Sequence, residues 1–275
     1  MNVVITGSNG YLVNRIKEQI EKEHNVICLS IRGDINIPQA TDCIIHIAGL
    51  VPDRNNEESD YYKINTQKTK ELCDMATAVG VKKFIYFSSM AVYGNLLTRK
   101  KRCGITLDSR IVPDSSYGDS KYQAEKYIKN SQSFSWTIIR LPSLYDQVEV
   151  NYFKPFINAV MKGTVPVCKK NTRRSLLHID NLAVLLESIV NSDTYNNKII
   201  LPCDEYAPTV NDLFEKISRD MHIECKRSGI MGALWCILSY IHPYFCGFTG
   251  CAYYEEEGAT IVRGKSISDL KFDFS

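Results

Sequence analysis

The sequence predicts an α/β fold: a doubly wound parallel sheet with a smaller C-terminal lobe. Three observations predict it. Short, wholly apolar runs recur through the first two-thirds of the chain, and helical patterns separate them. A glycine-containing turn joins the first run to the first helix. Apolar runs of this kind read as strands buried on both faces, and their alternation with helices builds βαβ units.

Val3-Val4-Ile5 is the first strand, and a helical pattern follows from Gly10 to Glu23. Val26-Ile27-Cys28-Leu29 is the next buried strand, and Cys43-Ile44-Ile45-His46-Ile47 another. A long helix fits Asp60 to Val79, ended by Gly80. Lys83-Phe84-Ile85-Tyr86-Phe87 is a strand, and a helix from Gly118 to Asn130 leads to the strand Trp136–Ile139. Beyond Pro142 the alternation loosens. Helices are expected near 154–162, 181–191 and 210–221, with a strand at 198–201. No internal repeat or low-complexity linker is present. The expected lobes are 1–142 with 176–201, and 143–175 with 202–275.

A chain of 275 residues, 44% apolar and 23% charged, has the composition of a globular protein. That excludes a disordered chain, a coiled coil and a disulfide mini-scaffold. The formal charge is +2, from 33 basic and 31 acidic residues, and gives no reason to expect a nucleic-acid partner. The ten Cys are scattered, with no C-x-x-C and no preceding signal peptide, so free thiols in a reducing cytoplasm are expected. No paired Cys/His spacing suggests a metal.

Thr6-Gly7-Ser8-Asn9-Gly10-Tyr11-Leu12-Val13 joins the first strand to the first helix. Glycines there let the backbone approach a pyrophosphate, which rests on the free N–H groups of the helix N-terminus. Gly7, Asn9, Gly10, Tyr11 and Leu12 are therefore candidate cofactor contacts. The usual third glycine falls at Val13, which is expected to push the helix outward and weaken binding. At the end of the second strand an acid usually bonds a ribose 2′-hydroxyl, whereas a basic residue accommodates a 2′-phosphate. Here Ser30 replaces the acid and Arg32 lies two residues on, which favours NADP(H) and leaves NAD(H) as the alternative.

Tyr117 and Lys121 stand at i, i+4 and project from one helix face. A nearby ammonium is expected to lower the Tyr117 phenol's pKa and fit it for proton transfer. Upstream, Ser88-Ser89-Met90-Ala91-Val92-Tyr93-Gly94 comes directly off a strand, where Ser89 can hold a reacting oxygen. Tyr122 and Lys126 repeat the same spacing, so that pair alone carries little weight.

With these motifs in order, the chain resembles an extended short-chain dehydrogenase/reductase of the NAD-dependent epimerase/dehydratase type, which acts on nucleotide sugars over a Rossmann-type sheet. The resemblance rests on Thr6-Gly7-x-x-Gly10, His46-Ile47-Ala48-Gly49, Asn65-Thr66 and Ser88–Gly94. It continues through Tyr117–Lys121, Arg140-Leu141-Pro142 and Arg174–Asp180. It implies Ser89, Tyr117 and Lys121 as the catalytic triad. It implies further cofactor contacts at Arg32, Asp34, Ile35, Ala48, Gly49 and Pro142. Substrate contacts would come from Ser89, Met90, Tyr117 and Arg174, the last as a phosphate ligand. Reduction of a 4-keto nucleotide sugar for surface polysaccharide synthesis is the leading expectation. A nucleotide-sugar 4-epimerase is the alternative, and a non-catalytic dinucleotide-binding protein is a reading of another class. A homodimer is expected.

Ser228 to Tyr254 contains no Asp, Glu, Lys or Arg. Pro243 would break a spanning helix, so a buried cap helix near 229–241 is expected. The alternative is peripheral contact with the inner face of the membrane through Trp235, Tyr240 and Tyr244. Arg99-Lys100-Lys101-Arg102 reads as a solvated loop.

Overall fold

The computed structural model describes residues 1–7, 10–53, 55–94, 104–167, 173–238, 253–254 and 259–272. Asn9, the basic run at 99–102, Tyr240 and Tyr244 lie outside the described residues, as does the side chain of Trp235. The chain forms two compact units. One comprises Met1–Gly94, Leu107–Leu141 and Ile179–Pro202; the other, Asn95–Thr106, Pro142–His178 and Cys203–Ser275. Residues 176–178 join the second unit because Leu176–His178 pairs with Ser143–Tyr145.

The first unit is a six-stranded parallel sheet. Its strands are β1 (Asn2–Thr6), β2 (Asn25–Leu29), β3 (Cys43–His46), β4 (Lys83–Ser89), β5 (Ser135–Leu141) and β6 (Lys198–Ile200). They lie in the order β2-β1-β3-β4-β5-β6. The register pairs Val3 with Cys43, Ile45 with Ile85 and Ser89 with Leu141. In a parallel sheet all strands end on one edge, so Thr6, His46 and Ser89 share it. β3 is wholly buried, as its apolar run predicts. β2 is not: Ile27 is 42% exposed and Cys28 is exposed, against expectation. No strand forms between Arg32 and Thr41, so β2 has no outer neighbour and becomes the sheet edge.

Helices α1 (Tyr11–Ile20), α3 (Lys68–Val79), α4 (Ser116–Asn130) and α5 (Ile179–Asn191) flank the sheet. A short α2 (Glu58–Tyr61) and a π-helical segment (Tyr62–Gln67) run into α3. Gly80 ends α3 in the left-handed conformation, φ 76°. Ser115 opens α4 by accepting the Gly118 N–H at 3.1 Å. Val4, Ile44, Leu72, Phe84 and Ile138 form the core on one face, joined by Ile31, Ile35 and Ile37 from the connection after β2.

The second unit has three two-stranded parts and its own core, in which Tyr145, Phe153, Phe156, Phe214 and Phe272 pack together. Its charge-poor helix α6 (Gly229–Leu238) leaves Ile230 86% and Leu234 52% exposed, so the expected buried cap does not bury these two. No helix of the described residues is long and apolar enough to cross a membrane.

Candidate active site

At the β1–α1 turn Gly7 adopts φ +110°, and its N–H donates to the Leu29 carbonyl at 2.8 Å. Gly10 precedes α1 in extended conformation, with no side-chain cap and no acid in the first turn. That first turn can therefore receive an anion from backbone N–H groups. Val13 packs against Gly7: it is 5% exposed, and its Cγ2 lies 3.0 Å from where a Gly7 Cβ would stand, so the side chain fills the space that Gly7 leaves. Tyr11 is exposed and Leu12 half-buried at the helix start.

Behind the turn lies a fully oriented polar chain. The Thr6 hydroxyl accepts the Ile47 and Ala48 N–H groups, each at 3.1 Å. Its own proton then points to His46 Nδ1 at 2.7 Å. His46 must therefore carry its proton on Nε2, which donates to Thr69 Oγ1 at 2.8 Å; Thr69 donates to the Asn65 carbonyl. Burial, with the Lys121 cation adding to it, pushes the imidazole down to about 3, so it stays neutral. Neutral His46 pins the loop carrying Ala48 and Gly49. A Cβ on Gly49 would stand 2.9 Å from Asn65 Oδ1 and 3.0 Å from Lys121 Nζ. Glycine is needed there to admit both groups. An open helix terminus, a pinned loop and a side-chain-free Gly49 fit a dinucleotide.

Ser89 ends β4, and its Oγ accepts the Ala91 N–H at 3.1 Å, starting the 3₁₀ turn Met90–Tyr93. The Ser89 hydroxyl lies near enough to the Tyr117 phenol to favour its ionised form. Lys121 Nζ donates to the Phe87 carbonyl at 2.9 Å and lies 5.1 Å from the Tyr86 ring centroid. Burial brings Lys121 down to about 8, opposed by the Glu125 charge. Here an expectation is corrected. Burial raises the Tyr117 phenol above its ordinary value, and Ser89, not Lys121, offsets part of that rise. The reason is position: Lys121 Nζ is drawn to the Phe87 carbonyl, on the side of Gly49 and Asn65. A cavity of about 630 Å³ is lined by Tyr61, Tyr62, Ser116, Tyr117 and Asp119 among others.

The remaining expected contacts divide. Arg32 is exposed and has no ion-pair partner among the described residues; its N–H donates to Ser30 Oγ at 3.2 Å. Asp34 is exposed, whereas Ile35 is 6% exposed and belongs to the core. Met90 is half-buried beside Ser89. Pro142 and Arg174 belong to the second unit. Arg174 is not a surface arginine: it is 4% exposed, beside the buried Tyr152 phenol.

Sequence reasoning gave no role to Asn65 or Glu125. Asn65 Oδ1 accepts the Leu50 N–H at 2.7 Å, and its Nδ2 donates to Ser120 Oγ at 3.1 Å. Glu125 forms a buried ion pair with Arg140 at 2.7 Å. Two signals pointed there: Arg140 is a lone cation in an apolar strand, and Glu125 lies four residues beyond Lys121.

A parallel sheet with a glycine turn after its first strand and a polar carboxyl edge is the architecture of dinucleotide-binding α/β proteins. Residues 3–199 match the NAD dependent epimerase/dehydratase family, and the chain belongs to that family. It is 25% identical over 248 residues to a UDP-glucose 4-epimerase of Vibrio cholerae, covering 79% of this chain and 75% of that protein. It is 23% identical over 271 residues to the N-acetyl-alpha-D-glucosaminyl-diphospho-ditrans,octacis-undecaprenol 4-epimerase of Escherichia coli O157:H7, covering 87% and 80%. Its fold resembles that of UDP-glucuronic acid 4-epimerase from Bacillus cereus in complex with NAD. The TM-score is 0.69 at 17% identity, over 83% of this chain and 85% of that one.

Proposed function

We propose that the protein is a 4-epimerase of a nucleotide sugar, using NAD(H). The observation that carries the reading is the convergence of Ser89, at the carboxyl end of β4, with Tyr117 and the buried Lys121 ammonium on α4, where Ser89 acts on the Tyr117 phenol. The two sequence relatives described above, both 4-epimerases by name, move the reading from the expected reductase to an epimerase. Gly7, Gly10, Ala48 and Gly49 would hold the dinucleotide, with Lys121 on its ribose. A nicotinamide held there would supply the hydride acceptor for sugar carbon 4 and, in reverse, the hydride donor to its opposite face. Tyr117 takes the 4-hydroxyl proton during oxidation and returns it during reduction. Ser89 holds the reacting oxygen in line and favours the developing phenolate, and Lys121 keeps positive charge at the dinucleotide side of the site, beside Gly49.

A second reading, reduction of a 4-keto nucleotide sugar with NADPH, draws on Arg32. Arg32 is exposed and without an ion-pair partner among the described residues, and Ser30 stands where an acid usually selects NAD. One assay decides. Interconversion of UDP-glucose and UDP-galactose, or of their N-acetylamino forms, without added cofactor supports the epimerase. Stoichiometric consumption of NADPH on a 4-keto-6-deoxy nucleotide sugar, with no epimer formed, supports the reductase. In parallel, Arg32→Ala should weaken NADP(H) more than NAD(H) if Arg32 reads the 2′-phosphate.

Peripheral membrane contact through 228–254 is supported by the absence of charge in that run and the exposure of Ile230 and Leu234. Fractionation tests it: protein recovered wholly in the low-salt soluble fraction would end this reading.

A further inference from the structure

Beneath Ser89 and Lys121 lies a buried charged cluster. Arg140 is 2% exposed. Its Nε and Nη2 donate to the Glu125 carboxylate at 3.0 and 2.7 Å, and its Nη1 donates to Tyr93 Oη at 2.7 Å. Ser88 Oγ donates to Glu125 Oε1 at 2.5 Å. Buried ion pairs of this kind often add little net stability over an apolar filling, so stability is a poor account of the cluster. Its connections give a better one. Ser88 immediately precedes Ser89 and is the register partner of Arg140. Tyr93 closes the 3₁₀ turn that Ser89 opens. Glu125 lies one helical turn beyond Lys121, on the same face of α4. One cluster thus ties the strand end, the turn and the helix that carry Ser89, Tyr117 and Lys121.

We propose that Glu125, held by Arg140, is a positioning residue that locks α4 against the Ser89 strand end and keeps the Lys121 ammonium charged. The inference rests on the roles proposed for Tyr117 and Lys121. The groups around Lys121 support it. The Phe87 carbonyl and the Tyr86 phenol come from β4, the latter held un-ionised by burial. Neutral His46 comes from β3, and the Asn65 amide from the π-helical segment. Tyr117 and Glu125 come from α4 itself. Among these described residues Glu125 supplies the formal negative charge. It opposes the burial that draws Lys121 down to about 8.

The test follows the Lys121 side-chain NMR signal through a pH titration of the cofactor-free chain, with the signal identified by its loss in Lys121→Arg. The kcat profile is measured alongside. Glu125→Gln should lower the Lys121 midpoint by about one pH unit and move the alkaline limb of kcat with it. Glu125→Asp retains the charge at shorter reach. It should hold the midpoint near that of the parent chain while lowering kcat evenly across pH. An unmoved midpoint in Glu125→Gln, or an equal fall in both variants, would overturn the proposal. Should Glu125→Gln fail to fold, a midpoint fall of about one unit in Glu125→Asp overturns it alone. Full turnover in Tyr117→Phe would instead overturn the underlying catalytic reading and leave the titration result standing.

Discussion

Tyr117 and Lys121 occupy one helix face, but their environments pull them in different directions. Burial makes the phenol harder to ionise, and the same burial makes the ammonium easier to discharge. A Tyr117 that handles the proton should lose roughly 10²–10⁴-fold in turnover as Tyr117→Phe, with dinucleotide affinity near that of the parent chain. Steady-state kinetics beside a calorimetric titration check this. Tyr122→Phe, on the duplicate spacing, should change neither. Lys121 carries a second consequence. Its folded pKa of about 8 lies below the ordinary 10.5, so the unfolded chain binds its proton more readily between those values. The cost of burying the cation is therefore complete below about 8 and fades as pH rises toward 10.5. Lys121→Met should raise Tm at neutral pH, and the gain should shrink in melts taken at higher pH, while turnover is lost. A gain unchanged between pH 7 and 10 would contradict the buried cation.

The contact between α4 and the 3₁₀ turn after Ser89 sets how far Ser89 stands from Tyr117. Gly118 makes that approach possible: a Cβ there would lie 2.5 Å from the Ala91 carbonyl oxygen, a backbone atom that cannot swing away. Gly118→Ala should destabilise the protein by about 1–3 kcal/mol through overpacking. At about 2–4 °C per kcal/mol, calorimetry would read the loss as a lower Tm. Turnover should fall further than Tm alone explains, because the helix carrying Tyr117 and Lys121 is displaced. An unchanged Tm would show that the turn gives way freely. The same scale explains β2. Its residues are as apolar as those of β3, yet Ile27 and Cys28 face solvent. Apolar composition reports that a segment forms a strand; its place in the sheet is decided by which other segments become strands.

Across the molecule the described thiols form a graded set of reporters. Cys28 is exposed at the sheet edge, Cys225 is intermediate, and Cys43, Cys73 and Cys203 are buried. Burial pushes Cys43 up to about 12 and Cys203 up to about 11. Under native conditions a thiol reagent should label Cys28 within the time in which Cys43 and Cys73 stay unlabelled, as mapped by mass spectrometry. Cys43 and Cys73 should react only as denaturant opens the first unit. Labelling of Cys43 as fast as Cys28 would mean that β3 is not the central buried strand.

Much of the first unit is legible in the sequence because its signals are local. Alternating apolar runs and helices specify the parallel sheet; Gly7 and Gly10 mark the turn; Tyr117 and Lys121 share a face through helix geometry alone. The short strands of the second unit, such as Ser143–Tyr145 and Leu176–His178, left no such trace, because three residues carry no measurable period. Other decisions needed distant residues to meet. Val13 finds its place because Gly7 leaves room across the turn. The His46 tautomer is set by Thr6 and Thr69, 40 and 23 residues away. The Tyr117 phenol answers to Ser89 because the Phe87 carbonyl holds Lys121 elsewhere. Glu125 and Arg140, 15 residues apart in the chain, acquire meaning only when helix and strand bring their charges together in a dry interior. Local periodicity determined the elements and their order. Burial and hydrogen-bond competition, which exist only once the elements pack, decided the charge state and direction of each group at the site.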